Sequence, residues 1–158
     1  MAKKEKEKDP TIATNRRARF EYEIGETFEA GLMLTGTEVK SLRAGKATIV
    51  DAFATVRDGE AWLYQMTIPE YEFGNRQNHD PTRRRKLLLH RREIAEMEKF
   101  TQERGRSLVA MKLYWKDGRA KMLIGLGVGK KAHDKRATMA DRDAKRDIDR
   151  ALRSRQKA

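Results

Sequence analysis

His79, His90 and His133 are the only side chains in this 158-residue chain whose ordinary pKa lies near neutrality, so acid–base or imidazole–metal chemistry would have to pass through them. No two of them have the i, i+4 spacing that sets a pair of imidazoles on one helical turn. Asp80 follows His79, but sequence neighbours in a loop seldom converge on one substrate atom, and His79 reads as a solvated loop residue. Cysteine is absent, which excludes a disulfide framework, a Cys-ligated metal and a thiol nucleophile. There is no nucleophile elbow and no Walker-type phosphate loop. The glycines of GLGVG, from Gly125 to Gly129, lack the spacing and βα context of a dinucleotide fingerprint. These residue types do not point to catalysis.

Cations and aromatics are a better lead. Arg83, Arg84, Arg85 and Lys86 form one unbroken basic run, and Asn15, Arg16, Arg17 and Arg19 form another near the start. Phe20, Tyr22, Tyr71, Tyr114 and Trp115 offer flat surfaces on which unpaired bases could stack. Trp115 falls on an apolar face and reads first as core. Lys and Arg number 36 against 24 Asp and Glu, a net charge of +12, which favours a polyanionic partner. The charge is uneven: residues 129–158 hold eleven Lys or Arg against five Asp. That imbalance divides the chain into a charged N-terminal tail at 1–10, a body at 11–128 and a basic C-terminal tail at 129–158. The N-terminus has no apolar core for a signal peptide and no 18-residue apolar run occurs, so the expected location is the cytoplasm.

Those side chains must be positioned by a body that reads as β structure. Asp58-Gly59 and Asp117-Gly118 each separate two runs rich in apolar and aromatic residues, and an Asp-Gly pair supplies the positive φ angles of a tight hairpin. In the second hairpin, Met111, Leu113 and Trp115 alternate with Lys112, Tyr114 and Lys116. Across the turn, Ala120, Met122 and Ile124 share one face and Lys121 points to the other. Arg19–Leu34 reads as two strands or one bent strand, broken by Gly25 and Gly31. Thr35-x-x-Glu38 opens a helix that stops at Gly45, and a second helix carries Ile94, Met97 and Phe100 before Gly105. Pro69–Lys86 has no period and reads as a long loop. Short antiparallel strands plugged by helices suggest a mainly β, OB-like barrel, with an α+β sandwich left open by pattern alone.

The basic tail has little to bury. A helix could start at Thr138, with Thr138-x-x-Asp141 as its capping box. Arg142, Arg146 and Arg150 would then form a positive stripe, beside one apolar pair, Ile148 and Leu152. Such a helix is marginal alone, because nucleation is costly and no packing offsets it. The tail is therefore expected to be disordered by itself and helical when an anionic groove accepts the stripe and releases counterions.

Four collinear segments carry a specific resemblance: FEAG at 28–31, GTEVKSLRAGKA at 36–47, NHDPTRRRKLLL at 78–89 and GKKAHDKR at 129–136. Over residues 11–150 the chain resembles the SsrA-binding protein family, small protein B. The resemblance implies a monomeric RNA-binding protein, without enzymatic activity or cofactor. It would bind the tRNA-like domain of transfer-messenger RNA (tmRNA) and deliver that RNA to stalled ribosomes. Its tail would enter the empty message channel and meet small-subunit ribosomal RNA at the decoding centre, so that the nascent chain is tagged and the ribosome released. Carried over position by position, Glu29, Leu88 and Lys121 would bind tmRNA, with Phe20 and Tyr22 as further contacts. Gly129, Lys130, Lys131, His133, Asp134, Lys135 and Arg136 would form the hinge and decoding-centre segment, with Gly129 turning the chain through backbone angles closed to other residues. Phe20 stands where the family often has His, Phe53 where it often has Tyr, and Val128 where Lys is usual. The competing readings are a ribosome-associated RNA binder without tmRNA, and an RNA-processing enzyme built on His79 and Asp80.

Overall fold

A computed structural model describes residues 10–74, 78–130 and 132–156. Among the described residues seven strands and four helices follow in order: β1 Thr11–Thr14, α1 Ala18–Glu21, β2 Tyr22–Leu32, α2 Gly36–Arg43, β3 Phe53–Arg57, β4 Glu60–Tyr64, β5 Arg85–Leu88, α3 Arg91–Thr101, β6 Arg106–Lys116, β7 Arg119–Gly129 and α4 Ala132–Gln156. All strand pairs are antiparallel, in the order β1-β6-β3-β4-β5-β2-β7, and β7 pairs back onto β6. That last pairing closes six strands into a barrel with no open edge, which is the OB-like architecture expected. β1 extends β6 from outside the ring.

Both Asp-Gly turns have positive φ at each central residue: 51° and 75° at Asp58 and Gly59, 51° and 74° at Asp117 and Gly118. This is the backbone that the type I′ hairpin demands. β2 is one strand whose register shifts between Ile24 and Thr27, so the bent-strand reading holds. β6 shifts between Ala110 and Lys112, and this corrects the sequence pattern. The extra residue reverses which side chains face inward. Leu113 joins the main core, whereas Met111 packs with Ala18, Val109, Tyr22 and Ile24 in a separate small cluster. Strict alternation had put Met111 and Leu113 together.

The main core fills the barrel with Leu63, Leu108, Met122 and Ile124, and the helices cover it with Leu42 from α2 and Met97 from α3. Glu38 closes the first turn of α2 by accepting from the Thr35 N–H at 2.9 Å. Positive φ at Gly45 and Gly105 turns the chain after α2 and α3. Two short elements escaped the sequence reading: β1 and the single turn α1, which together hold Asn15 buried. Asn15 donates from Nδ2 to the Ala110 carbonyl at 2.9 Å, so it belongs to the packing rather than to a basic surface run.

α4 begins at Ala132, six residues before Thr138. The earlier start follows from how the chain leaves the barrel. The Gly129 N–H donates to the Gly105 carbonyl at 2.7 Å, and the Lys130 N–H to the Glu21 carbonyl at 2.9 Å. These bonds fix the exit and let a helix start directly after it. Gly129 itself ends β7, paired with Tyr22, and is not among the positive-φ glycines, so the turn into the tail does not rest on left-handed angles there.

Candidate nucleic-acid interface

β2 brings the first three site residues together. Gly31 pairs with Leu88 on β5 and with Lys121 on β7, so those two side chains flank one glycine across three adjacent strands. Glu29 lies two residues earlier on β2 and therefore on the same face. A Cβ at Gly31 would lie 3.2 Å from the Leu88 Cβ, so the glycine keeps space for Leu88. Glu29, Leu88 and Lys121 line one open groove of about 580 Å³ together with Lys86, His90 and Glu93. On its far side, Leu88 and Lys121 also line a second groove of about 340 Å³ with Val39 and Arg119. The pair thus forms a ridge between two concavities. Leu88 is 49% exposed although apolar, which a core role would not produce.

Glu29 is held on the surface by two residues that the sequence reading did not connect to it. The Tyr114 hydroxyl donates to Oε2 at 2.5 Å, and Lys116 Nζ donates to Oε1 at 3.1 Å. The Tyr114 bond, then that of Lys116, holds the Glu29 carboxyl below its usual pKa. Burial and the Glu29 carboxylate push the Tyr114 hydroxyl up in turn. Glu29 is thereby an ionised, oriented acceptor, braced by Tyr114 and Lys116. The signal available in sequence was the shared outward face of Tyr114 and Lys116.

The basic run 83–86 turns out to be structural in two of its four members. Arg85 is fully buried, donating from Nε to Glu38 Oε2 at 2.6 Å and from its terminal nitrogens to the carbonyls of Met66, Arg83 and Pro81. Arg83 Nε donates to Glu38 Oε1 at 3.1 Å, and Arg83 Nη2 makes a further bond to the same oxygen. Burial alone would raise the Glu38 pKa, but the bonds from Arg83, the Thr35 N–H and Arg85 outweigh it and hold the carboxyl below 4.5. A buried guanidinium survives only with its donors satisfied, and Glu38 supplies the countercharge. Lys86 pairs with Glu60 at 3.0 Å, and Arg84 alone of the four is exposed.

His79 is likewise structural. It is buried, with Nδ1 2.9 Å from the Thr37 hydroxyl and Nε2 2.8 Å from the Ile68 carbonyl, so Nε2 carries the proton and neither nitrogen is free. Asp80 accepts from the Thr82 N–H at 3.0 Å. The solvated-loop reading of His79 is therefore wrong, because its ring ties the far end of the long loop to Thr37 of α2 and to Ile68 just before the loop. The same bonds occupy both nitrogens of the His79 ring.

Tyr22 opens β2, about 20 Å along the strand from Glu29, and Phe20 lies just before it on α1. Both are half-buried beside the root of the tail, where Lys130 Nζ donates to the Arg19 carbonyl at 3.0 Å and Arg142 sits 5.8 Å from the Phe20 ring centre. The structure therefore divides the expected RNA contacts into a groove and a tail-root cluster. Lys131 lies outside the described residues. His133, Asp134 and Lys135 fall on the first turn of α4, with their side chains outside the description. Arg136, Arg142, Arg146 and Arg150 are exposed, as are Ile148 and Leu152 at 60% and 53%. From Arg142 the three stripe arginines recur at one-turn intervals along α4.

Comparison with known proteins follows the same outline. The family model described as SmpB protein matches residues 12–154. The chain is 56% identical to an SsrA-binding protein of Thermobifida fusca, over 98% of this chain and 99% of that one. It is 53% identical to an SsrA-binding protein of Syntrophomonas wolfei over the full length of both. A solved chain described as "tmRNA-SmpB: a journey to the center of the bacterial ribosome" superposes with a TM-score of 0.65 at 50% identity, covering 78% of this chain and 86% of that one. A family match across nearly the whole sequence, shared by relatives of equal length, leaves one assignment: the chain belongs to the SmpB family of SsrA-binding proteins.

Proposed function

We propose that this protein binds tmRNA through the barrel groove, delivers it to stalled ribosomes, and uses the tail from Gly129 to occupy the empty message channel. Its relatives are named SsrA-binding proteins, and the solved structure it resembles is described with tmRNA and the bacterial ribosome. The observation that carries the reading is the convergence of Glu29, Leu88 and Lys121 on one groove in a chain of this family. Each has a distinct job. Lys121 meets a phosphate, the exposed face of Leu88 takes a base or ribose, and Glu29 accepts hydrogen bonds from base amino groups. The bracing by Tyr114 and Lys116 keeps Glu29 from swinging into phosphate, where a free carboxylate would only repel.

The labour is divided at Gly129. Residues 11–128 grip the tRNA-like domain, and the basic tail, with Lys130, His133 and the arginine stripe, addresses ribosomal RNA. On this reading the protein acts by binding, not catalysis, as a monomer in the cytoplasm. Among the described residues no helix is long and apolar enough to cross a membrane. Affinity-tagged protein pulled from a bacterial lysate, with sequencing of its RNA, tests the proposal. A dominant tmRNA is the expected result. Bulk ribosomal RNA without tmRNA would instead make it a ribosome-associated binder of another kind.

A further inference from the structure

The long loop between β4 and β5 carries an aromatic finger. α2 holds the loop at both ends: Ser41 Oγ donates to the Pro69 carbonyl at 2.8 Å, and Thr37 meets His79 on the returning limb at 2.9 Å. Between those anchors Asn78 clasps the loop to itself. The Tyr71 N–H donates to Asn78 Oδ1 at 2.8 Å, and Asn78 Nδ2 donates to the Tyr71 carbonyl at 2.7 Å. The Gly74 N–H donates to the same carbonyl at 2.9 Å, closing a four-residue turn with Phe73 inside it. A Cβ on Gly74 would lie 2.7 Å from Asn78 Nδ2, so a side chain there would push the clasp open.

Phe73 gains little from this placement by itself. At 73% exposure it is the most exposed large apolar side chain among the described residues. Its ring meets Tyr71 edge to face, with centres 5.6 Å apart. Lys40 of α2 covers Tyr71 in turn, with Nζ 5.5 Å from the ring centre, so Tyr71 is the base of the finger and Phe73 its free end. A ring set on a clasped turn and left in water suits an anchor for another molecule, because little ordering remains to oppose binding.

Charge selects the kind of molecule. In a chain of net charge +12, residues 69–81 hold Glu70, Glu72 and Asp80 against one cation, Arg76, which lies outside the described residues. Glu70 and Glu72 are exposed and flank the finger. Phosphate would be repelled by these carboxylates, whereas a protein surface rich in lysine and arginine would be drawn to them. We propose that residues 69–74 are a docking finger for a basic protein of the ribosome, with Phe73 seated in an apolar socket and Glu70 and Glu72 meeting cations at its rim. The finger rests on the ribosome-binding reading above and extends it from RNA to protein. It is separate from the tmRNA groove, since none of residues 69–74 lines that groove.

The test titrates purified stalled ribosomes with full-length protein bound to tmRNA, and measures tmRNA affinity separately. Phe73→Ala should weaken ribosome binding at least about fivefold, the scale of an interface anchor, and leave tmRNA affinity within about twofold. Phe73→Trp should keep most of the ribosome affinity. Glu70→Lys with Glu72→Lys decides the chemistry by sign. A basic protein partner makes binding at least about fivefold weaker, whereas RNA against the finger makes it tighter and overturns the proposal. Carbodiimide coupling of the native complex should join Glu70 or Glu72 to a lysine of a ribosomal protein, and links to lysines of this chain alone overturn it. If Phe73→Ala and the charge reversal both bind as the native protein does, the finger falls and the ribosome reading stands. If the native protein does not bind stalled ribosomes, both fall.

Discussion

Lys121 and Arg146 are both assigned to RNA, yet they are held in opposite ways. Lys121 sits on β7 between β2 and β6, with its backbone fixed in a closed barrel and its neighbours Glu29 and Leu88 already in place. Arg146 sits on a helix whose described side chains from Arg142 to Leu152 are all exposed. The groove is organised within the closed barrel, so little ordering entropy would oppose the proposed RNA binding there. Beyond the Arg142–Phe20 contact at its root, the described side chains of the tail are exposed, so its partner must supply most of the stabilisation. Buried charge follows the same division. The barrel commits Arg85 and Glu38 to its interior with Arg83 half-exposed beside them, whereas Arg142, Arg146 and Arg150 of the tail are exposed.

The sharpest way to break that contrast is through Glu38. Glu38→Ala strands the buried Arg85 guanidinium and should cost about 3–5 kcal/mol of stability, read as a lower urea midpoint. Deleting 132–156 should cost under about 1 kcal/mol by the same measurement, given how little apolar area the helix buries. Comparable losses from both would erase the distinction between a built barrel and an appended tail.

Reversing the stripe tests the tail next. Arg142→Glu, Arg146→Glu and Arg150→Glu together should nearly abolish tagging of stalled nascent chains, while affinity for free tmRNA stays within about tenfold, or 1.4 kcal/mol. A smaller effect is expected in the groove, where Glu29→Ala or Lys121→Ala should weaken tmRNA binding about tenfold in filter-binding titrations without lowering the thermal midpoint. Lys121→Ala should also reduce the log–log salt slope by about 0.7–0.9, the loss of one phosphate contact. Unchanged affinity in both variants would remove the groove assignment.

Acid gives the smallest effect and a definite sign. The Glu38 carboxyl is lowered in the folded protein, so it releases its proton more readily there than in the unfolded chain. Its contribution to stability is complete above about 4.5 and is lost as pH falls through the folded value. The urea midpoint of the native protein should fall more steeply below pH 4.5 than that of Glu38→Gln. Parallel curves would show that Glu38 is not charged in the fold.

Much of this was legible in sequence because local chemistry determined it. The Asp-Gly turns, the Thr35–Glu38 cap and the glycine stops after both helices each depend on residues within a few positions of one another. What was missed depended on distance along the chain or on a single extra residue. A bulge between Ala110 and Lys112 moved Met111 to another cluster, and no composition rule marks it. Arg85 and His79 looked like surface because their partners, Glu38 and Ile68, lie 47 and 11 residues away. Glu29, Leu88 and Lys121 came from resemblance, and their common groove became visible only through the register of three strands. Tyr114 and Lys116, the brace on Glu29, lie 85 and 87 residues from it.

The most direct test of the division of labour truncates the chain after Lys130 and measures two things on one preparation. These are affinity for the tRNA-like domain of tmRNA, and the rate of peptidyl transfer to the alanine of tmRNA on stalled ribosomes. The account predicts affinity within about tenfold of the full-length protein and no measurable transfer. Transfer at the full-length rate would contradict it, because a tail that can be removed without loss does not read the empty channel.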